Sequence, residues 1–265
     1  MIETVTHETR VAMTLDSEAT LIDVRLLGSA IEVAAWTHAG RVRAHNEDAL
    51  LVDLDLKLVA VADGMGGHAL GEVASREALM SLAEYLCRHV RCFAEDTVTE
   101  ALIQANRRIY ETNCRRGYRS GAGMGSTVAG LWFGRERAIR FHVGDSRVYR
   151  YRQDRLEQLT RDHSLYQAWL DAGGVGVAPA SNVITRSLGC FAEVEPEVAM
   201  IDYRKGDRFL VCSDGLTRYW THPRLAHFFA QGEIDLQDQV RTLVETANAQ
   251  DGSDNITALL IRVGE

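Results

Sequence analysis

The sequence predicts an α+β protein, a four-layer αββα sandwich of two antiparallel β-sheets flanked by helix pairs. Three observations carry that expectation. Short apolar runs bounded by turn residues arrive in closely spaced groups. Such grouping favours antiparallel pairing, because a parallel pair needs a crossover of a dozen or more residues. Helical patterns come in pairs between those groups, and two face-to-face sheets with helices on their outer faces bury every apolar stripe.

Taken in order, residues 1–30 read as an N-terminal extension, polar as far as Asp16 and then with a strand pattern over 21–27. Strands are predicted at 31–37, 49–53 and 56–62. A helix follows where Ala74, Ala78, Leu82, Leu86 and Val90 recur every fourth residue, and a second where Val98, Ala101, Leu102, Ala105 and Ile109 line up. Strands at 127–133, 138–143 and 148–152 come next, the last two expected to form a hairpin about Gly144-Asp145-Ser146. A short helix over 163–172 runs into the glycine-rich, mobile stretch Gly173-Gly174-Val175-Gly176. Strands are expected again at 182–187, 197–203 and 208–212. A helix then opens with Thr221 as N-cap and Pro223 in its first turn. Leu236, Val240, Leu243, Val244 and Ala247 mark the last helix, and a strand over 256–263 closes the chain. With only 3 prolines and no linker composition, residues 31–265 read as one domain.

Composition narrows the function classes. A chain of 265 residues with 46% hydrophobic and 25% charged residues can bury a core, which argues against disorder. Its net charge of -8 argues against nucleic acid, whose backbone needs a cationic surface, and suits recruitment of cations. Arginines at Arg41 and Arg43 and at Arg115, Arg116 and Arg119 read as solvated faces, with Arg43 alone returning below. The 5 cysteines are odd in number and show no C-x-x-C spacing, as expected of reduced thiols. The start is polar and acidic rather than a basic flank with an apolar run, and no stretch is apolar enough to span a bilayer. The expected form is a cytoplasmic monomer with no membrane and no nucleic-acid partner.

Four aspartates stand at ends of apolar strands beside Gly, Ser or Asn: Asp63, Asp145, Asp214 and Asp254. Strand ends can converge on one edge of a sandwich, where crowded carboxylates repel unless cations neutralise them. Hard divalent ions such as Mg²⁺ and Mn²⁺ prefer such oxygen ligands. Asp63-Gly64 and Asp214-Gly215 could instead be hairpin turns, but each leads into a helical pattern rather than a strand. Gly64-Met65-Gly66-Gly67-His68-Ala69 also fits the dinucleotide fingerprint G-x-G-x-x-G/A. That reading fails because the chain is still helical at 84–90, where a second strand ending in an acid is needed, and Asp63 would face the pyrophosphate.

A set of motifs then runs through the chain: Gly40-Arg41-Val42-Arg43-Ala44-His45-Asn46-Glu47-Asp48, Asp63-Gly64-Met65-Gly66-Gly67-His68, Gly123-Met124-Gly125-Ser126-Thr127 and Val143-Gly144-Asp145-Ser146-Arg147. It continues with Leu159-Thr160-Arg161-Asp162-His163-Ser164, Asn182-Val183-Ile184-Thr185-Arg186-Ser187-Leu188-Gly189, Cys212-Ser213-Asp214-Gly215-Leu216 and Gly252-Ser253-Asp254-Asn255-Ile256-Thr257. Each is weak alone. In this order, from about Ile31 onward, they resemble the bacterial metal-dependent Ser/Thr protein phosphatases of type 2C, the PPM family, and make residues 31–265 the phosphatase domain.

The resemblance implies hydrolysis of phosphoserine and phosphothreonine by direct attack of water activated at two Mn²⁺ or Mg²⁺ ions. It implies that Asp63 bridges the pair, that Asp214 and Asp254 complete one ion, and that the Gly64 carbonyl with Glu47 serves the other. Asp48 would hold metal-bound water, Asp145 with Asp214 a third cation, and Arg43 the substrate phosphate. Some relatives have a histidine where Met65 stands, so the general acid is left between metal-bound water and His45. Residues 160–187 match a mobile flap beside the site, and a bacterial Ser/Thr kinase and its substrates are the implied partners. A pseudophosphatase binding module is the alternative, disfavoured because every acidic position and Arg43 are filled. His68 reads as a loop-ordering residue, His142 as a packed or exposed strand residue, and Trp132, Trp169 and Trp220 as core or flap aromatics.

Overall fold

The computed structural model describes residues 2–4, 11–13, 20–25, 31–66, 70–232 and 235–264. The chain forms β1 (Ile2–Thr4), β2 (Val11–Met13), β3 (Thr20–Arg25), β4 (Ile31–His38), β5 (Asp48–Asp53) and β6 (Leu58–Met65), then helices α1 (Leu70–Arg88) and α2 (Glu95–Arg115). It continues through β7 (Gly125–Ser126), β8 (Val128–Phe133), β9 (Arg137–Val143), β10 (Arg147–Arg152), β11 (Arg155–Gln158) and α3 (Leu165–Asp171). The last elements are β12 (Glu197–Asp202), β13 (Arg208–Cys212), α4 (Asp214–Tyr219), α5 (His222–Ala230), α6 (Leu236–Gln250) and β14 (Ile256–Val263).

One sheet runs β1-β3-β4-β14-β13-β10-β11, and the other runs β12-β9-β8-β6-β5-β2 with β7 paired to β6. Every pairing is antiparallel except β1 with β3. Val33, Ala35, Val61, Leu131, Phe209 and Leu259 pack between the sheets. Leu79 and Leu82 of α1 and Leu102 and Ile109 of α2 cover the second sheet at Leu58, Trp132 and Phe141. Leu216 of α4, Phe229 of α5 and Leu243 of α6 cover the first at Trp36, Leu210 and Leu260. These layers are the expected αββα sandwich. Because each sheet is covered on both faces, β5 and β8 are buried at every position, which is why their sequences read as unbroken apolar runs rather than alternation.

Several expectations change. The hairpin about Gly144-Asp145-Ser146 is not formed: β9 pairs with β8 and β12, whereas β10 pairs with β11 and β13 in the other sheet. The tight turn is a crossover between sheets, since a short connection fixes only that two strands end close together and not that they pair. Residues 182–187 form no strand, contributing only the isolated bridge Ser164↔Ile184. The flap helix α3 buries none of its residues, so this region has no apolar face to hold a strand in register. Helix α1 ends at Arg88 and leaves Val90 half exposed. Strand β6 runs past Asp63 to Met65 because β7 extends the ladder there. Within 1–30, the expected strand is β3, paired along β4, while β2 pairs with β5. Strand β1 pairs with β3; the remaining residues of that stretch, and His68, lie outside the described residues. No helix among the described residues is long and apolar enough to cross a membrane.

Candidate metal centre

Register brings the predicted acids together. Asp48 opens β5 directly opposite Asp63 on β6, and Val61, two residues before Asp63, pairs with Ala129 near the start of β8. Val128 pairs with Val143, so the crossover that bears Asp145 leaves from that same end. In the other sheet Arg147 pairs with Cys212, whose strand runs directly into Ser213 and Asp214, and Ile256 of β14, just after Asp254, pairs with His38. Both sheets therefore present Asp48, Asp63, Asp145, Asp214 and Asp254 at one end of the sandwich.

The acids are held by a shell of hydroxyls and amides. Asp48 Oδ2 accepts hydrogen bonds from Ser213 Oγ at 2.7 Å and Thr257 Oγ1 at 2.6 Å, which ties β5 to β13 and β14. The amide of Asp63 donates to Thr127 Oγ1 at 3.0 Å, and its carbonyl accepts from the Thr127 amide at 2.8 Å. Asn255 spans two segments: its Oδ1 accepts from the Glu47 amide at 2.8 Å while Nδ2 donates to the carbonyls of Ala39 and His45. Gly64 must be glycine, because a Cβ there would run into the carbonyl oxygens of Gly71 and Glu47. Glu47 lays its carboxylate against Gly71 in the first turn of α1, and burial raises its pKa.

Electrostatics show what this arrangement lacks. Burial, then the charges of Asp48, Asp214, Asp145 and Asp254, push the Asp63 carboxyl well above the usual range. Burial, offset in part by the Thr257 and Ser213 hydroxyls, pushes Asp48 up to about 7. Burial with the Asp214 and Asp162 charges pushes Asp145 to about 7, and burial raises Asp214, opposed by Arg218 and reinforced by Asp254. Among the described residues, Asp48 Oδ1 and Asp214 Oδ1 are buried with no hydrogen-bond partner. Buried carboxylate oxygens that repel their neighbours and find no donor are a donor set for hard divalent cations, so the residues present fit Mn²⁺ or Mg²⁺.

The comparisons agree with this geometry. A family model described as Protein phosphatase 2C matches residues 37–260. The chain belongs to the protein phosphatase 2C family. It is 32% identical over 251 residues to "Protein phosphatase PhpP" of Streptococcus pneumoniae, covering 89% of this chain and 98% of that protein. It is similar to the crystal structure of the Mycobacterium tuberculosis serine/threonine phosphatase PstP/Ppp, with a TM-score of 0.80 and 32% identity over 89% of this chain and 99% of that one. A structure of the PstP catalytic domain in complex with 2 manganese ions aligns with a TM-score of 0.78 and 31% identity, covering 89% and 99% of the two chains.

In this phosphatase two arginines pair with the acids. Arg43 Nη2 lies 2.9 Å from Asp254 Oδ1 and 3.0 Å from Oδ2, paired with a predicted metal ligand. Arg218, which sequence reasoning passed over, donates to Asp254 Oδ2 at 2.7 Å and Asp214 Oδ2 at 3.0 Å. Its signal was available: Asp214 and Arg218 stand four apart at a helix start, where side chains meet on one face. Ser213, Thr257 and Asn255 were also missed as supports, because their partners lie far away in sequence.

The flap is rooted beside Asp145. The His163 amide donates to the Gly144 carbonyl at 2.9 Å, and the Gly144 amide donates to His163 Nδ1 at 3.2 Å. Arg147, two residues after Asp145, grips Asp162 with contacts of 2.6 to 3.1 Å. His142 is fully buried, as a packed strand residue would be, and stacks on His163 with ring centroids 4.5 Å apart. Burial, the neighbouring His142 and Arg186 lower His163 to about 4, so both rings pack as neutral groups near neutral pH. These rings and Glu197 bring three ligand-type atoms within 4.8 Å of one another. His142 Nε2 is committed to the Arg161 carbonyl at 2.8 Å and Glu197 to Arg140 at 2.5 Å, so the cluster acts as a flap root. Trp132 and Trp220 donate to the Leu56 and Leu243 carbonyls in the core, and Trp169 to the Val175 carbonyl within the flap.

Proposed function

We infer that this chain is a metal-dependent protein phosphatase that hydrolyses phosphoserine and phosphothreonine in proteins. The observation that carries the reading is the convergence of five aspartates at one end of the sandwich, two with a buried oxygen that has no hydrogen-bond donor among the described residues. Asp63, Asp214 and Asp254, with the Gly64 carbonyl and Glu47, would hold two central ions, and Asp145 with Asp214 a third. Bound there, Mn²⁺ or Mg²⁺ would supply Lewis acidity toward phosphoryl oxygens and lower the pKa of water.

The chain's own residues supply orientation. Asp48 is held by two hydroxyls on one oxygen, which leaves the other free to accept from a water at the site. Arg43 is about half exposed at the rim and, once released from Asp254, presents a planar fork for a phosphate monoester. Met65 has no proton to give the departing seryl or threonyl oxygen, and the exposed His45 stands at the same rim as a donor. Occupied acidic positions and an ordered shell favour turnover over a binding-only role. We assign a bacterial Ser/Thr kinase and its substrates as partners, in the cytoplasm, on the resemblance of the motifs alone. Residues 1–30 we assign as an accessory segment that adds strands to the edges of a phosphatase domain spanning 31–265.

The test is phosphate release from p-nitrophenyl phosphate and from a phosphothreonine peptide, with Mn²⁺ and with chelator. Release with Mn²⁺ and none with chelator is expected. Binding of the phosphopeptide without release in Mn²⁺ would instead mark a pseudophosphatase.

A further inference from the structure

Arg218 occupies the carboxylate set assigned above to cations, and nothing in that assignment uses it. Helix α4 begins at Asp214, so Arg218 comes round one turn later on the same face. Its Nη2 reaches Asp214 Oδ2 at 3.0 Å and Asp254 Oδ2 at 2.7 Å, joining the start of α4 to the residue just before β14. Asp254 also pairs with Arg43, whereas Asp214 keeps its other oxygen buried and, among the described residues, without a donor.

We propose that Arg218 is a built-in counter-cation of the metal centre: it holds Asp214 and Asp254 together in the metal-free protein and withdraws when a divalent ion takes those oxygens. The inference rests on the metal reading of the site. A guanidinium held on these carboxylates repels an ion bound to the same groups and draws on the charge that the ion needs, so ion binding weakens the two contacts. The side chain has somewhere to go, because a third of it is already exposed. It therefore serves two opposed ends. Without an ion it lowers repulsion among crowded acids and keeps the cleft assembled; with one, its displacement is subtracted from the affinity. A guanidinium and a divalent ion on Asp254 repel one another, so each weakens the other's hold.

The experiment compares wild type, Arg218→Gln and Arg218→Lys. Thermal unfolding in chelator and calorimetric titration with Mn²⁺ are measured on each. Arg218→Gln should melt lower than wild type in chelator yet bind Mn²⁺ about three- to tenfold more tightly, the range expected from losing a partly exposed bridging ion pair. Arg218→Lys keeps the charge but offers a compact ammonium in place of the fork, so its affinity should lie between the two. A residue that merely supported the fold would weaken Mn²⁺ binding along with stability. Unchanged or weaker binding by Arg218→Gln overturns the proposal, as does equal tightening by the Lys variant, which would show that charge is not the cause. Should the Gln variant not fold in chelator, the wild type decides: the Arg218 side-chain NMR signal should be protected in chelator and exchange-broadened on adding Mg²⁺, and an unaltered signal overturns the proposal. If the wild type binds no Mn²⁺ at all, it is the metal reading that fails.

Discussion

Asp48 and Asp145 each sit near 7 where an ordinary aspartate sits at 3.8, and Asp63 is likewise raised well above the ordinary value. A folded-state pKa above the unfolded value means that folding takes up protons in the interval between them. The stability these groups contribute is present at low pH and lost as pH rises through about 7. In chelator the protein should therefore melt several degrees higher at about pH 5.5 than at about pH 8, and saturating Mn²⁺ should remove most of that difference. Melting curves that rise with pH in chelator would show that the acids are not desolvated as described. Asp63→Asn removes the carboxylate that faces Asp48 but keeps the backbone bonds to Thr127. Outer residues of metal sites cost about 10–100-fold when altered, and this inner one should cost more in turnover. Circular dichroism should show the sandwich intact, and Mn²⁺ calorimetry should show a lost or much weakened central site.

The decisive element is the crossover between β9 and β10. It places Asp145 between the sheets, beside the flap root, and not at the tip of a ribbon projecting from one of them. Gly144 takes φ +102 there and packs on Thr127, so Gly144→Ala should cost about 1–2 kcal/mol from the backbone alone, read as a lowered melting temperature. Asp145→Ala should leave two ions tightly bound, lose a weaker third, and slow phosphopeptide hydrolysis. Counting bound Mn²⁺ by calorimetry or anomalous diffraction checks this; unchanged stoichiometry with unchanged turnover would reduce Asp145 to a turn former. Flap and crossover also explain why sequence periodicity failed at 182–187. That segment is held by single bonds, such as the Thr185 amide to the His163 carbonyl at 2.7 Å, and no alternating buried face underlies it.

At the scale of the molecule, β3 lies along β4 and β2 along β5, so the N-terminal segment covers one edge of each sheet. Removing residues 1–30 should expose both edges, lower the melting temperature and promote self-association seen by size-exclusion chromatography. Turnover per folded molecule should persist, because none of the predicted metal ligands pairs with those strands. Loss of metal binding on truncation would contradict a separate domain beginning at Ile31. The sequence by itself determined the αββα layering and singled out four strand-end aspartates, Asp63, Asp145, Asp214 and Asp254, which the structure brings together with Asp48. Both are local signals: apolar period and length set each element, and an aspartate beside a glycine or asparagine at a strand end needs no knowledge of its neighbours. Tertiary structure alone decided that β9 and β10 belong to different sheets, that Asp48 loses one oxygen's solvent while keeping two hydroxyls on the other, and that Arg218 reaches Asp254, 36 positions away. Those outcomes depend on which strands pair and in what register, a choice made by burying the whole set of apolar faces at once and therefore invisible in any short stretch of chain.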